Sequence, residues 1–259
     1  PGEMMVFSVA DGKVIGTSYK EHCGARRSGC IFEYIYFARP DSVIDGVSVH
    51  EARVLAGKIL ARNYPVDADV VVGVPDSGLD AAIGYASESG IPYEIGLVKN
   101  KYVGRSFIAP SQGQRTNTVK IKLNPVKSVL SGKRVVLVDD SIVRGTTSKR
   151  IIQMLRSAGA KEIHLCISAP PFRHPCYYGV DIDSEEYLIA NHHNEAEIAK
   201  MIGADSLGFL PIEALKELSG GKDYCGACFN GDYPTEIPRD QRKDRFEQGL
   251  SERKEGEEA

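Results

Sequence analysis

The sequence predicts an α/β fold in which a central, mainly parallel sheet is flanked by helices. Three observations carry that prediction. Short, largely apolar stretches at Val70–Val74 and Arg134–Val138, with a further strand at Glu162–Ser168, have the length of buried strands. Helical patterns at Val49–Ala61, Leu79–Ser89 and Thr147–Ala158 alternate with them, an order that builds parallel sheets with helices on their faces. The chain has 259 residues, 42% apolar and 26% charged, enough for one large domain with a substantial core.

In chain order, residues 1–29 are mixed and glycine-containing, with a short strand at Met4–Val9. The apolar run Ile31–Phe37 reads as a strand that stops at Pro40. In Val49–Ala61 the residues Ala52, Leu55, Ala56 and Leu60 fall near one helical face. The Val70–Val74 strand ends at Pro75-Asp76-Ser77-Gly78, where the next helix starts, and Glu94–Val98 reads as a further strand. The stretch Lys99–Lys127 carries seven basic residues and no acidic one, with Gly104, Pro110, Gly113 and Pro125, and reads as a long loop or loose hairpin. After the turn at Ser131-Gly132 comes the Arg134–Val138 strand, then a helix closed by Gly159. Short helices are expected at Glu195–Ile202 and Ile212–Leu218. Arg239–Ala259 is dominated by charged residues and Gln, and is expected to be a mobile or solvent-lying tail. The expected division is a linker at 1–30, a main domain at 31–219, a cysteine-bearing segment at 220–238 and a tail at 239–259.

Charge and hydropathy exclude some classes of function. Lys plus Arg number 32 against 35 Asp plus Glu, a formal charge of −3, whereas a nonspecific nucleic-acid binder is normally clearly basic. No apolar run approaches the roughly 20 residues needed to cross a bilayer. The first residues lack the basic and apolar regions of a secretory leader. A cytoplasmic protein is therefore expected, and the start at Pro1 suggests a piece of a longer chain.

The strongest local signal is Arg134 to Ser148, RVVLVDDSIVRGTTS. Two carboxylates, Asp139 and Asp140, close an apolar strand; Gly145 and the hydroxyls of Thr146, Thr147 and Ser148 then open a helix. Binding sites of open α/β sheets lie at that end of the strands, and a helix N-terminus offers free N–H groups to a phosphate. The carboxylates repel a phosphate, so their natural partners are ribose hydroxyls or a magnesium ion beside it. The alternative is a capping acidic pair followed by a plain turn. Neither the P-loop nor the G-x-G-x-x-G pattern occurs here.

Six cysteines lie at 23, 30, 166, 176, 225 and 228. A chain this long needs no disulfide framework. Cys225-x-x-Cys228 is a half-site for zinc or an iron–sulfur cluster, or a redox pair. Cys166, within a buried strand, reads as a small core residue, and the adjacent His192 and His193 as structural or exposed.

Val135 to Thr147 resembles the phosphoribosyl-pyrophosphate (PRPP) signature of the type I phosphoribosyltransferases. With Phe37–Ser42, Gly73–Ser77 and Lys99–Ile108, the chain is similar over about residues 1 to 235 to one branch of them, the glutamine PRPP amidotransferases. The resemblance implies the type I phosphoribosyltransferase fold and transfer of the phosphoribosyl group from PRPP to ammonia, giving 5-phosphoribosylamine and pyrophosphate at the first step of purine synthesis. It implies that Asp139 and Asp140 hold the ribose hydroxyls and, with Ser77, the Mg2+ shell. Arg144, Gly145, Thr146, Thr147 and Ser148 would surround the 5-phosphate, and Asp76 and Ser77 would form the pyrophosphate loop. Lys99–Leu123 would be the flexible loop that closes over PRPP, with Lys99 and Arg105 stabilising the leaving group. Tyr34 and Arg39 would face the ammonia path.

The same resemblance assigns Cys30, Cys176, Cys225 and Cys228 to a structural [4Fe-4S] cluster that tethers the C-terminal segment, with Cys23 as the alternative to Cys30. It also implies a glutaminase domain, absent from these residues or supplied in trans, a homo-oligomer (a tetramer in the family), and feedback inhibition by purine nucleotides. This chain alone is then expected to use ammonia and not glutamine. A salvage phosphoribosyltransferase, or a sensor that binds PRPP or a nucleotide without turnover, are the competing readings.

Overall fold

The computed structural model describes residues 3–10, 13–21, 28–100, 123–180, 182 and 184–237. Its centre is a parallel sheet in the order Ser206–Phe209, Glu162–Ile167, Arg134–Asp139, Val70–Gly73. The Val70–Gly73 strand is buried throughout, as are Val135 to Asp139, which explains their uninterrupted apolar character. A parallel bridge from Val71 to Tyr93 continues the pairing beyond Val70–Gly73. Helix Leu79–Ser89 packs on the Val70–Gly73 and Arg134–Asp139 strands, and helix Glu195–Ile202 packs on Ser206–Phe209 and on helix Thr146–Ser157. Helix Val49–Asn63 packs against Leu79–Ser89 and Ala214–Leu218. Ser48 caps its N-terminus by accepting from the Glu51 N–H. Helix Glu195–Ile202 opens on a full capping box, Asn194 with Glu197, and stops at Gly203.

The predicted elements recur with end shifts of one or two residues, and with three differences. Ile31–Phe37 is not a strand: Glu33–Phe37 is a short π-helical turn. Its carbonyls are gathered by one buried side chain. Arg53 Nε donates to Tyr34 O at 2.8 Å, and Arg53 Nη2 donates to Ala38 O at 2.8 Å and Glu33 O at 3.5 Å. A strand would have needed a sheet edge, whereas this turn finds its acceptors' partners in a guanidinium from the next helix. Second, the strand expected at Glu94–Val98 lies at Leu97–Lys99 and pairs antiparallel with Leu123–Pro125. Third, the stretch read as a long loop or loose hairpin is bounded by that antiparallel pair, as in a hairpin, and at its end Lys127–Leu130 is a short helix. Residues 101–122, including Lys101, Arg105, Arg115, Lys120 and Lys122, lie outside the described residues, as do Cys23 and the tail.

Near the N-terminus, Met4–Ala10 and Lys13–Tyr19 form an antiparallel hairpin whose apolar residues, Phe7, Val9 and Val14 among them, are exposed. Gly29–Cys30 pairs in parallel with Tyr224–Cys225 and so joins distant parts of the chain.

An ion-pair anchor holds the two central strands in register. Asp69 accepts from the Arg134 N–H at 2.8 Å and from Arg134 Nη2 at 2.9 Å. The Arg134 guanidinium, and after it the Arg134 N–H, pull the Asp69 carboxyl down to about 2. A depressed carboxyl contributes stability above its unfolded value, near about 4, and loses it as pH falls through the folded value. Asp69→Asn is therefore expected to be destabilising at neutral pH and progressively less so on acidification towards about pH 2. Urea midpoints of the two proteins across that range would check this, and a gap that does not narrow in acid would contradict it.

Candidate active site

The neighbouring strands Val70–Gly73 and Arg134–Asp139 end side by side, with Gly73 opposite Val138 and the Val74 N–H donating to Val138 O at 2.9 Å. The two turns that follow are thereby brought together. Ser77 Oγ donates to one Asp140 carboxylate oxygen and Ser141 Oγ to the other. The Asp140 N–H donates to Asp139 Oδ1 at 2.9 Å, and the Ser168 N–H holds the Asp139 carbonyl at 2.9 Å. Lys99, at the end of its strand, forms an ion pair with Asp76. Five residues scattered over the sequence, Asp76, Ser77, Lys99, Asp139 and Asp140, thus occupy one sheet end.

Both carboxyls of the acidic pair are pushed up, first by burial. Asp139 is raised well above the ordinary range, with the Asp140 charge adding to the rise. For Asp140 the bonds from Ser141 and Ser77, and the positive charge of Arg53, oppose it. A buried carboxylate, Asp139, and a half-buried one, Asp140, held this way attract a cation or hydroxyl donors, and their charge is what a bound Mg2+ with ribose hydroxyls would satisfy.

Beyond Asp140, helix Thr146–Ser157 starts at Gly145, whose φ of +75° is a left-handed conformation that residues with a side chain adopt at a cost. Thr146 and Thr147 are exposed, and Ser148 is buried. Arg144 is also exposed, its guanidinium 5.0 Å from the centre of the Tyr187 ring. The helix start offers unbonded N–H groups and a favourable dipole to an anion.

Arg53 is the residue that sequence reasoning missed. It sits at a helical position with no motif around it, is only 4% exposed, and feels the charges of Asp80 and Asp140, which oppose the downward pull of burial on its guanidinium. Its only sequence signal is a lone Arg among Ala52, Ala56 and Leu60, the face of the helix predicted to be buried. Tyr34 is buried, its hydroxyl donating to Ile44 O at 3.0 Å, whereas Arg39 is exposed and paired with Asp41.

The cysteines form a second grouping. Cys30 and Cys225 are register partners, and the Cys228 carbonyl accepts from the Arg173 and His174 N–H groups, placing Cys228 near the Cys176 turn. Burial pushes the Cys30 thiol up to about 11, and Cys225 and Cys176 add to the rise. Burial also raises Cys228, and Cys30, Cys176 and Cys225 contribute. These four thiols are thus electrostatic neighbours. Cys166 stands apart in its strand, its thiol pushed up to about 12 by burial. Among the described residues no three His, Cys, Asp or Glu side chains form a group that could hold a metal ion as they stand. The donor set, four sulfurs and no oxygen or imidazole, has the chemistry of an all-thiolate iron–sulfur or zinc site.

Comparison with known proteins places this geometry. The amidophosphoribosyltransferase of Methanocaldococcus jannaschii is 61% identical over 252 residues, covering 92% of this chain and 53% of the relative. That of Bacillus subtilis is 54% identical over 246 residues, covering 93% and 51%. The chain therefore spans about half the length of these curated relatives. Among solved structures, the glutamine PRPP amidotransferase of B. subtilis complexed with ADP and GMP superposes with a TM-score of 0.80 at 54% identity, over 93% of this chain and 53% of that one. The sequence pattern of the phosphoribosyl transferase domain matches residues 47–196, from the start of the first helix to beyond the acidic pair. That match takes in more than half of the chain and every strand end that builds the site: the protein has the type I phosphoribosyltransferase fold and belongs to the phosphoribosyl transferase domain family.

Proposed function

We propose that this chain is the phosphoribosyltransferase half of an amidophosphoribosyltransferase. It transfers the phosphoribosyl group of PRPP to ammonia and releases pyrophosphate in purine synthesis. The observation that carries this reading is the meeting of the Asp139–Asp140 pair with the Asp76–Ser77 turn and Lys99 at one sheet end, in a chain 54–61% identical to amidophosphoribosyltransferases. Asp139 and Asp140 bind the ribose hydroxyls and, with Ser77, the Mg2+ shell. Asp76 and Ser77 receive the pyrophosphate, and Arg144, Gly145, Thr146, Thr147 and Ser148 the 5-phosphate. Lys99 and Arg105 neutralise charge on the departing pyrophosphate. No covalent nucleophile from the protein is required, so catalysis is positioning together with charge stabilisation. In the proposed reaction ammonia attacks C1 of the ribose as the C1–O bond to pyrophosphate breaks. The attacking nitrogen sheds a proton to solvent.

Cys30, Cys176, Cys225 and Cys228 are assigned to a [4Fe-4S] cluster, which supplies a structural tether and no chemical step. Purine nucleotides are the expected inhibitors, in keeping with the ADP and GMP bound to the B. subtilis relative. A homo-oligomer, a cytoplasmic location and a glutaminase partner domain complete the reading.

The test is pyrophosphate release from PRPP and Mg2+ by anaerobically purified protein, with no nucleophile, with ammonium at alkaline pH, or with glutamine. These 259 residues alone are expected to respond to ammonium and not to glutamine. Release that needs a purine or pyrimidine base would make the protein a salvage enzyme. PRPP binding without turnover would make it a sensor, and either result would overturn the proposal.

A further inference from the structure

The segment Gly231–Ile237 has no regular secondary structure, yet side chains pin it beside the cysteine grouping. Tyr233 Oη donates to the Pro175 carbonyl at 2.7 Å, one residue before Cys176. The Tyr233 ring lies 5.3 Å from that of Tyr177 and 6.4 Å from that of Tyr178, between ring centres. Tyr178 and Thr235 hydroxyls are 2.9 Å apart, and the Thr235 N–H donates to Tyr178 Oη at 3.3 Å. Both Cys176 and Cys228 are buried, at 9% and 8% exposure, and both lie within electrostatic reach of the Tyr233 phenol. Phe229, next to Cys228 in sequence, is buried and stacks on buried Phe172 with ring centres 4.9 Å apart.

We propose that residues 231–237 are a strap that shields Cys176 and Cys228, and the metal group they help to hold, from reagents in solution, with Tyr233 as its pin. Beyond the Gly231 N–H, which donates to the Ala227 carbonyl at 2.8 Å, the segment has no backbone ladder, so its opening is a local equilibrium set by a few hydrogen bonds and ring contacts. Each opening exposes two thiols that the closed form keeps dry. Shielding of the metal group, and the optical readout with it, rests on the cluster reading above; shielding of the two thiols does not.

The experiment compares the whole chain with Tyr233→Phe, Thr235→Val and Tyr233→Ala, all purified without oxygen. The first readout is the rate at which the visible absorption of the iron–sulfur group bleaches in air. The second is the rate of iodoacetamide alkylation of Cys176 and Cys228, followed by peptide mass spectrometry, with buried Cys166 as internal reference. Tyr233→Phe and Thr235→Val are expected to react about fivefold faster, the factor that one net hydrogen bond contributes to a local opening equilibrium. Tyr233→Ala, which also loses the ring contacts, is expected to react faster still, while anaerobic kcat and KM stay at wild-type values. Rates equal to wild type, in variants with unchanged circular dichroism and melting, would overturn the strap. A preparation without the visible band would remove the cluster reading, and alkylation would then decide on the strap by itself. Should Tyr233→Ala not fold, the two milder variants decide.

Discussion

Replacing Asp139 and Asp140 together by asparagine is expected to lower ammonium-dependent pyrophosphate release by at least about 10²–10³-fold, the range seen when one preorganised electrostatic group is removed from a site. Stability is expected to move the other way. Burial raises both carboxyls, so the folded protein binds their protons more readily than the unfolded chain does. Such groups contribute stability below the unfolded value, near about 4, and lose it as pH rises through the raised range. At neutral pH the charged pair therefore opposes folding, and a neutral amide of the same shape relieves that opposition. The melting temperature of the double variant should rise by roughly 2–4 °C for each kcal/mol recovered. Mg2+ should stabilise the wild type and not the variant, because a cation that binds only the folded carboxylates adds its binding free energy to folding. Calorimetry with and without Mg2+, beside the release assay, checks both halves. A variant that loses activity and stability together would mean that the pair is a structural cap rather than a ligand-binding element.

Gly57→Ala is the second large expectation. Helices Val49–Asn63 and Leu79–Ser89 cross at a reciprocal backbone contact: a Cβ at Gly57 would stand 1.8 Å from the Ala81 carbonyl oxygen, and one at Gly84 would stand 2.0 Å from the Val54 carbonyl oxygen. No side-chain adjustment relieves a clash with backbone, so the helices must separate. Overpacking of this kind costs about 3 kcal/mol, or a fall in melting temperature of roughly 6–12 °C. Function should suffer beyond stability. The second helix starts directly after the Asp76–Ser77 turn, so moving it draws Ser77 away from Asp140. A raised KM for PRPP, measured at a temperature where the variant is fully folded, is the expected signature. A variant that melts like the wild type would show that the helices approach less closely than described.

The sheet was legible because its strands are buried on both faces: VVVG at 70–73 and VVLV at 135–138 admit few other readings. The acidic pair was legible for the same reason, two charges being conspicuous at the end of an apolar run. The convergence of Asp76, Ser77 and Lys99 on that pair needs the parallel register of two strands distant in sequence, which no local pattern encodes. Ile31–Phe37 misled because its apolar residues lack a period, and a run without one does not separate strand from turn. What decides between them is Arg53, placed in the following helix and able to satisfy carbonyls that a strand would have left to a neighbour. A buried guanidinium of that sort carries no signature until the turn it serves is folded. The four cysteines stood out by spacing only at 225 and 228; Cys30 and Cys176 were reached by family resemblance, and their nearness to the other two emerges from packing.

The two-residue pairing of Gly29–Cys30 with Tyr224–Cys225 has a consequence for how the chain matures. Its partners lie almost the whole described chain apart, so the pairing closes the longest loop among the described residues and is expected to form last. On a ribosome, Cys30 emerges long before Cys225 and Cys228, and waits as an unmatched thiol while the sheet assembles between them. Under the proposed cluster assignment, loading of the metal group is expected to follow core folding rather than to nucleate it. On the same assignment, protein left without the cluster is expected to keep its central sheet and to lose the pairing of its two distant segments.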